Sequence, residues 1–69
     1  MAINISTTEY ENTHGAKPTG RANWGFVRVD GDGSVVWSPA DLTVREACAW
    51  LRQTTRRAGY QDASFYLAA

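Results

Sequence analysis

The chain has 69 residues, with seven Lys and Arg against seven Asp and Glu, and a single cysteine. This length fits one domain, residues 1–69, and leaves no room for a second. The balanced charge argues against a protein that coats nucleic acid by neutralising phosphates, and one cysteine excludes an intrachain disulfide. Because no apolar run follows a positive start and no segment is apolar enough to span a membrane, we expect a cytoplasmic protein without membrane partners.

The first elements are a strand and a loop. Residues 2–8 alternate between apolar and polar side chains, with Ile3 and Ile5 on one side, which predicts a half-buried strand. Residues 11–20 collect Gly15, Pro18 and Gly20, and this composition predicts a loop.

A hairpin follows. Residues 23–30 predict a strand in which Trp24, Phe26 and Arg28 share one face, while Val27 and Val29 share the other. Two Asp-Gly pairs come next, and such pairs between apolar strands predict a tight turn. Residues 35–38 then form the return strand, which ends before a proline.

One helix is predicted in the second half of the chain. Thr43 and Glu46 have the spacing of a capping box, and Gly59 stands where a C-terminal cap belongs. One apolar stripe follows the helix: Val44, Ala47, Cys48, Leu51, Thr55 and Ala58. Residues 63–69 alternate again and predict the last strand.

These elements give the order β-β-β-α-β, an α+β fold with a small antiparallel sheet and one helix on one face. The predicted core on the sheet consists of Ile3, Ile5, Val27, Val29, Phe65 and Leu67. A single helix covers only one face of a sheet. The opposite face would therefore display Trp24, Phe26, Arg28 and Tyr66, together with Val36, or with Val35 and Trp37, depending on the register.

This aromatic face is the predicted partner-binding surface, since large aromatic side chains with an arginine are typical of protein interfaces. Trp24, Phe26, Arg28 and Tyr66 are its candidate contact residues. Three alternatives stay open: residues 11–20 fold over the face, a homodimer closes through it, or it stacks the bases of a nucleic acid.

A second candidate surface is a basic ridge on the helix. Arg45, Arg52 and Arg56 fall on one stripe, which suits phosphates or an acidic protein surface, or forms a solvated helix face.

No enzyme, metal site or cofactor is expected. His14 is the one histidine and falls in the predicted loop, while Cys48 falls in the core stripe, where a thiol is usually inert. Asp30 and Asp32 have the early spacing of a calcium loop, but Val35 occupies the position that requires glycine, so a plain hairpin turn is predicted.

Two stretches carry a family resemblance: Trp24-Gly25-Phe26-Val27-Arg28-Val29-Asp30-Gly31 and Thr43-Val44-Arg45-Glu46-Ala47-Cys48-Ala49-Trp50-Leu51. They resemble the AP2-like arm-binding domain of phage tyrosine recombinases, over residues 24–52. The resemblance implies a three-stranded sheet laid in the major groove of DNA, with the helix packed behind it. Arg28 is the charged residue that matches a sheet position of that family.

The size and style of the chain are also similar to short phage or mobile-element proteins, including anti-CRISPR inhibitors. This similarity implies a protein that acts by occupying a surface of a larger complex. The leading hypothesis is therefore a non-catalytic protein-binding module, an inhibitor or accessory factor. A DNA-binding module and a homodimeric structural protein are the alternatives.

Overall fold

The structure, a computed structural model, describes residues 3–39 and 41–68. The main sheet has four strands, and its elements in chain order are β1 (Ile3–Ser6), β3 (Gly25–Arg28), β4 (Val35–Trp37) and β6 (Ala63–Leu67). The remaining elements are α1 (Thr8–His14), β2 (Arg21–Ala22), β5 (Leu42–Thr43) and α2 (Val44–Arg57). The predicted first and last strands also included Ala2 and Ala69, which lie outside the described residues.

The strand order in the main sheet is β1-β6-β3-β4, and β2 pairs with β5 in a separate two-stranded sheet. β1 and β6 are parallel, whereas β6 with β3 and β3 with β4 are antiparallel. The α+β class and the long helix packed on a sheet are confirmed. The sheet is mixed rather than wholly antiparallel, because the first and last strands run in the same direction side by side.

α2 begins and ends as its sequence predicts. The Thr43 hydroxyl accepts a hydrogen bond from the Glu46 N–H at 3.2 Å, and the Glu46 carboxylate accepts one from the Thr43 N–H at 2.9 Å. After the helix, Gly59 has a φ of 96°, a left-handed conformation that glycine adopts without strain. The buried residues of α2 are Ala47, Leu51 and Thr55, all from the predicted stripe.

The predicted loop 11–20 is wrong in its first part, because α1 occupies residues 8–14. This helix is mostly polar, so it lacks the apolar stripe by which a helix is recognised in a sequence. Gly15, taken as a loop residue, is its left-handed C-terminal cap, and its N–H donates to the Glu11 carbonyl at 2.8 Å.

The core lies between α2 and the sheet, and its buried members are Ile3, Trp24, Phe26, Ala47, Leu51, Phe65 and Leu67. The predicted assignment of the β3 faces is therefore wrong. Phe26, not Val27, faces α2. Val27 is nevertheless buried, at 6% exposed, on the opposite face, as its place in the predicted core requires, whereas Val29 is 62% exposed. The face of Val27 has no side chain at Gly25, so it cannot build a core as large as the face that carries Trp24 and Phe26.

Candidate binding surface

Two of the four predicted contact residues are buried. Trp24 is 4% exposed and Phe26 0% exposed, so the prediction that they form an uncovered face is wrong. The Trp24 indole N–H donates to the Leu42 carbonyl at 2.7 Å, and the Tyr10 ring packs edge-on against the indole at 5.8 Å. The covering side chain is Tyr10, which precedes the segment 11–20 that was predicted to fold over the aromatics.

Arg28 lies on the α2 side of the sheet, in register with Phe65. Its guanidinium lies 4.6 Å from the centre of the Tyr60 ring, and its Nε donates to the Asp30 carboxylate at 2.8 Å. The Tyr60 hydroxyl and then Asp30 raise the pKa of Arg28 above its ordinary value. This arginine is held at the rim of a groove and does not lie on the uncovered face.

The face opposite α2 is open only along β4. Tyr66, the fourth predicted residue, is half-buried there and pairs with Val27, which is 6% exposed, and Val27 pairs with Val35. Trp37 completes the face. A Cβ at Gly25 would lie only 2.9 Å from the Val35 Cγ1 and 3.0 Å from the Trp37 ring. The indole therefore lies over Gly25. Two registers were left open for the face that carries Phe26, and the structure places Val36 on that face, whereas Val35 and Trp37 lie on the opposite one.

β4 is the edge strand beside this face, and all its side chains are exposed: Val35 by 40%, Val36 by 38% and Trp37 by 55%. In the described part of the chain, no strand pairs with its outer edge. The opposite edge, β1, presents the polar Asn4 and Ser6 to solvent instead. An exposed, uncharged, apolar edge is a ready template for another strand.

A groove of about 430 Å³ adjoins β4 on the α2 side of the sheet. It runs between the second half of α2 and the β3–β4 hairpin, and Leu51 and Phe65 of the core reach into it. The rest of its lining comes from the hairpin, the helix and the segment after it: Arg28, Gly31, Asp32, Ser34, Val36, Thr54, Thr55, Ala58 and Tyr60. The groove is mainly apolar, and its charged groups lie at the hairpin end.

Charge is unevenly distributed around β4. Residues 29–44 contain Asp30, Asp32 and Asp41 and no Lys or Arg, although the whole chain is neutral. Hydrogen bonds from the side chain and then the backbone N–H of Ser34 lower the pKa of Asp32, so this carboxylate is ionised at neutral pH. Asp30 is paired with the Arg28 guanidinium at 2.8 Å, so the negative charge at the hairpin end of the groove comes from Asp32.

The predicted basic ridge is only partly open. Arg45 and Arg56 are exposed, while Arg52 is half-buried and its Nε donates to the Ile3 carbonyl at 3.4 Å. Arg52 thus ties α2 to β1, which is a structural role.

The reactive side chains lie apart from one another. His14 stacks on Tyr10 with ring centres 4.0 Å apart, and its Nδ1 lies 3.1 Å from the Tyr10 carbonyl oxygen. Burial raises the pKa of the Cys48 thiol, although Arg52 acts in the opposite direction, and a raised pKa disfavours the nucleophilic thiolate. Among the described residues, no three His, Cys, Asp or Glu side chains cluster as metal ligands would. No helix in this part of the chain is long and apolar enough to cross a membrane.

Comparisons with protein-family models, with curated proteins and with solved structures give no match. The resemblance to AP2-like domains therefore stays a prediction.

Sequence reasoning underrated the run Val35-Val36-Trp37. In a strand, successive side chains point to opposite faces, so three apolar residues in a row cannot all face one core. Alternation therefore divides this run between the two faces, and its exposure follows from the edge position of β4, which the sequence does not show.

Proposed function

We propose that this chain is a non-catalytic binding protein that docks on a larger protein, as an inhibitor or accessory factor, through β4 and the adjoining open face. One observation carries the proposal: Val35, Val36 and Trp37 are all exposed on an apolar edge strand. An apolar patch of this kind marks an interaction site more often than it marks inert surface.

The arrangement of the reactive groups supports a role without catalysis. The imidazole of His14 stacks on a neighbouring ring of its own helix, and the thiol of Cys48 is packed in the core stripe. Neither has an acid, base or nucleophile partner among the hydrogen bonds of the described residues. Binding, rather than bond-making, is the chemistry that the exposed side chains offer.

The test compares two matched substitutions in one binding assay. A partner is captured from lysate and purified, and its affinity is measured by calorimetry for the unmodified chain, Trp37→Ser and Gln53→Ser. Trp37 belongs to the proposed surface, whereas Gln53 is exposed on α2, on the other side of the sheet and outside the groove lining. We expect Trp37→Ser to weaken binding by at least about tenfold and Gln53→Ser to leave it nearly unchanged.

Equal affinity of both variants would contradict the proposal. Two further measurements decide the alternatives. Light scattering that gives twice the monomer mass would favour the homodimer. Binding to duplex DNA that weakens steeply with salt would favour the DNA-binding module.

A further inference from the structure

The edge of β4 that faces away from β3 presents backbone N–H and C=O groups to which no described strand pairs. The Ser38 N–H donates to the Trp24 carbonyl at 2.8 Å, while the Gly25 carbonyl accepts from Ala68, on the β6 side, at 2.8 Å. Hydrogen-bonded and non-hydrogen-bonded pairs alternate along an antiparallel ladder. The N–H and C=O groups of Val35 and Trp37 therefore point outward, at the spacing that an added strand needs.

The groove lies where a side chain of such a strand would fall. Val36 shares the α2 side of the sheet with Phe26 and is part of the groove wall. In an added strand, the residue level with Val36 points to that same side. A groove of about 430 Å³ has room for a large aromatic or aliphatic side chain.

The charge near β4 indicates which kind of partner binds there: a second copy, a nucleic acid or a segment of another protein. A second copy paired through β4 would bring only its own uncharged residues 33–40 to this edge, and therefore no cation to Asp32. The phosphates of a nucleic acid have the same sign of charge as Asp32. A segment with basic residues beside its apolar ones is complementary to the Asp32 end of the groove.

We propose that the partner contributes an extended apolar segment flanked by Lys or Arg, which adds to β4 as a fifth strand and inserts one large side chain into the groove between α2 and β4. This inference rests on the proposed function, since it names the part of the partner that β4 receives. The backbone bonds supply affinity, and the groove supplies specificity.

A library of random linear peptides is selected for binding to the immobilised full chain. The enriched peptides are then synthesised, and their affinity is measured at physiological salt. Two variants on exposed positions of α2 are compared. Thr54→Trp fills the groove, and Gln53→Trp adds the same bulk one residue away, outside the groove lining. Amide exchange is followed by NMR on the unmodified chain with and without peptide.

We expect the selected peptides to share one large apolar residue and flanking Lys or Arg residues. Thr54→Trp should weaken their binding at least about tenfold, and Gln53→Trp should not change it. The amides of Val35 and Trp37 should exchange more slowly once peptide is bound.

Three results would overturn the inference: no enriched peptide, equal affinity for Thr54→Trp, or unchanged exchange at Val35 and Trp37. If Trp37→Ser weakened peptide binding and Thr54→Trp did not, the proposed function would stand, and only the role of the groove would be contradicted. A protein partner indifferent to Trp37→Ser would instead overturn the proposed function itself.

Discussion

Gly25 helps to decide which face of β3 packs against α2. Its position lies under the Trp37 ring and beside Val35, at distances of 3.0 and 2.9 Å for a hypothetical Cβ. On the opposite face, Trp24 and Phe26 have bulk that the interior needs. Sequence reasoning took the aromatic side as exposed because it assigned Val27 and Val29 to the core beneath the helix. Arg28 is accommodated because it lies at the end of the strand and reaches out of the core to the Tyr60 ring.

Substitutions on the two faces of the main sheet should differ in how strongly they lower the free energy of unfolding. Phe26→Ala removes a fully buried ring and should cost about 3–5 kcal/mol of unfolding free energy, which approaches the whole stability of so small a domain. Phe26→Leu should cost roughly 1–3 kcal/mol and keep the fold measurable. Trp37→Ser should change stability by only about 0.5 kcal/mol.

Urea unfolding followed by circular dichroism checks these values. If Trp37→Ser cost as much as Phe26→Leu, the assignment of the faces would be wrong.

At the scale of elements, the strength of the local signal separates what was predictable. α2 has a capping box, an apolar stripe and Gly59 after its end, and all three agree, so its bounds followed from the sequence. α1 has seven residues and buries none of them fully, so its sequence shows no such agreement. Of the binding surface, only Tyr66 was placed on the correct face, because face assignment depends on packing across strands rather than on alternation within one.

The capping box of α2 predicts both a mutational and a pH effect. Thr43→Ala removes the hydroxyl that accepts from the Glu46 N–H and should cost about 1 kcal/mol of unfolding free energy. The backbone N–H of Thr43 lowers the pKa of Glu46 in the folded state. The stabilisation from this carboxylate is therefore present above the ordinary glutamate pKa, about 4.3, and is lost as the pH falls through the lower folded value.

Thermal unfolding from neutral to acidic pH measures both effects. Glu46→Gln should make the decrease in stability between neutral and acidic pH smaller. Glu9→Gln, on α1, should not remove the contribution of Glu46 to that decrease. If Glu46→Gln left the decrease in stability at acidic pH unchanged, the stabilising role given to the Glu46 carboxylate would be contradicted.

For the molecule as a whole, the acidic residues around β4 have a second consequence. An apolar edge strand invites pairing between copies, and natural proteins oppose this with charge. We expect a monomer at neutral pH because Asp32 and Asp41, which precede and follow β4 in the chain, give both copies carboxylates of the same charge beside the pairing segment. The double variant Asp32→Asn with Asp41→Asn should self-associate as its concentration rises.

Light scattering over a concentration series measures this. Asn suits the positive φ of 26° at residue 41, so the variant should keep the fold. A double variant that stays monomeric, or an unmodified chain that is already dimeric, would contradict the role given to the two carboxylates.

The position of β6 has a consequence for the order in which the molecule folds. It is the last of these strands to be synthesised, yet it lies between β1 and β3 in the middle of the main sheet. On a ribosome that has not yet released residues 63–67, β1 lacks its only neighbour in the described sheet, and the core lacks Phe65 and Leu67. Pairing of the first strand with the last closes nearly the whole chain into one loop, and such non-local contacts form slowly, over about milliseconds to seconds. The nascent chain therefore keeps these apolar residues exposed until residues 63–67 have left the ribosome, and such exposed surface is what chaperones bind.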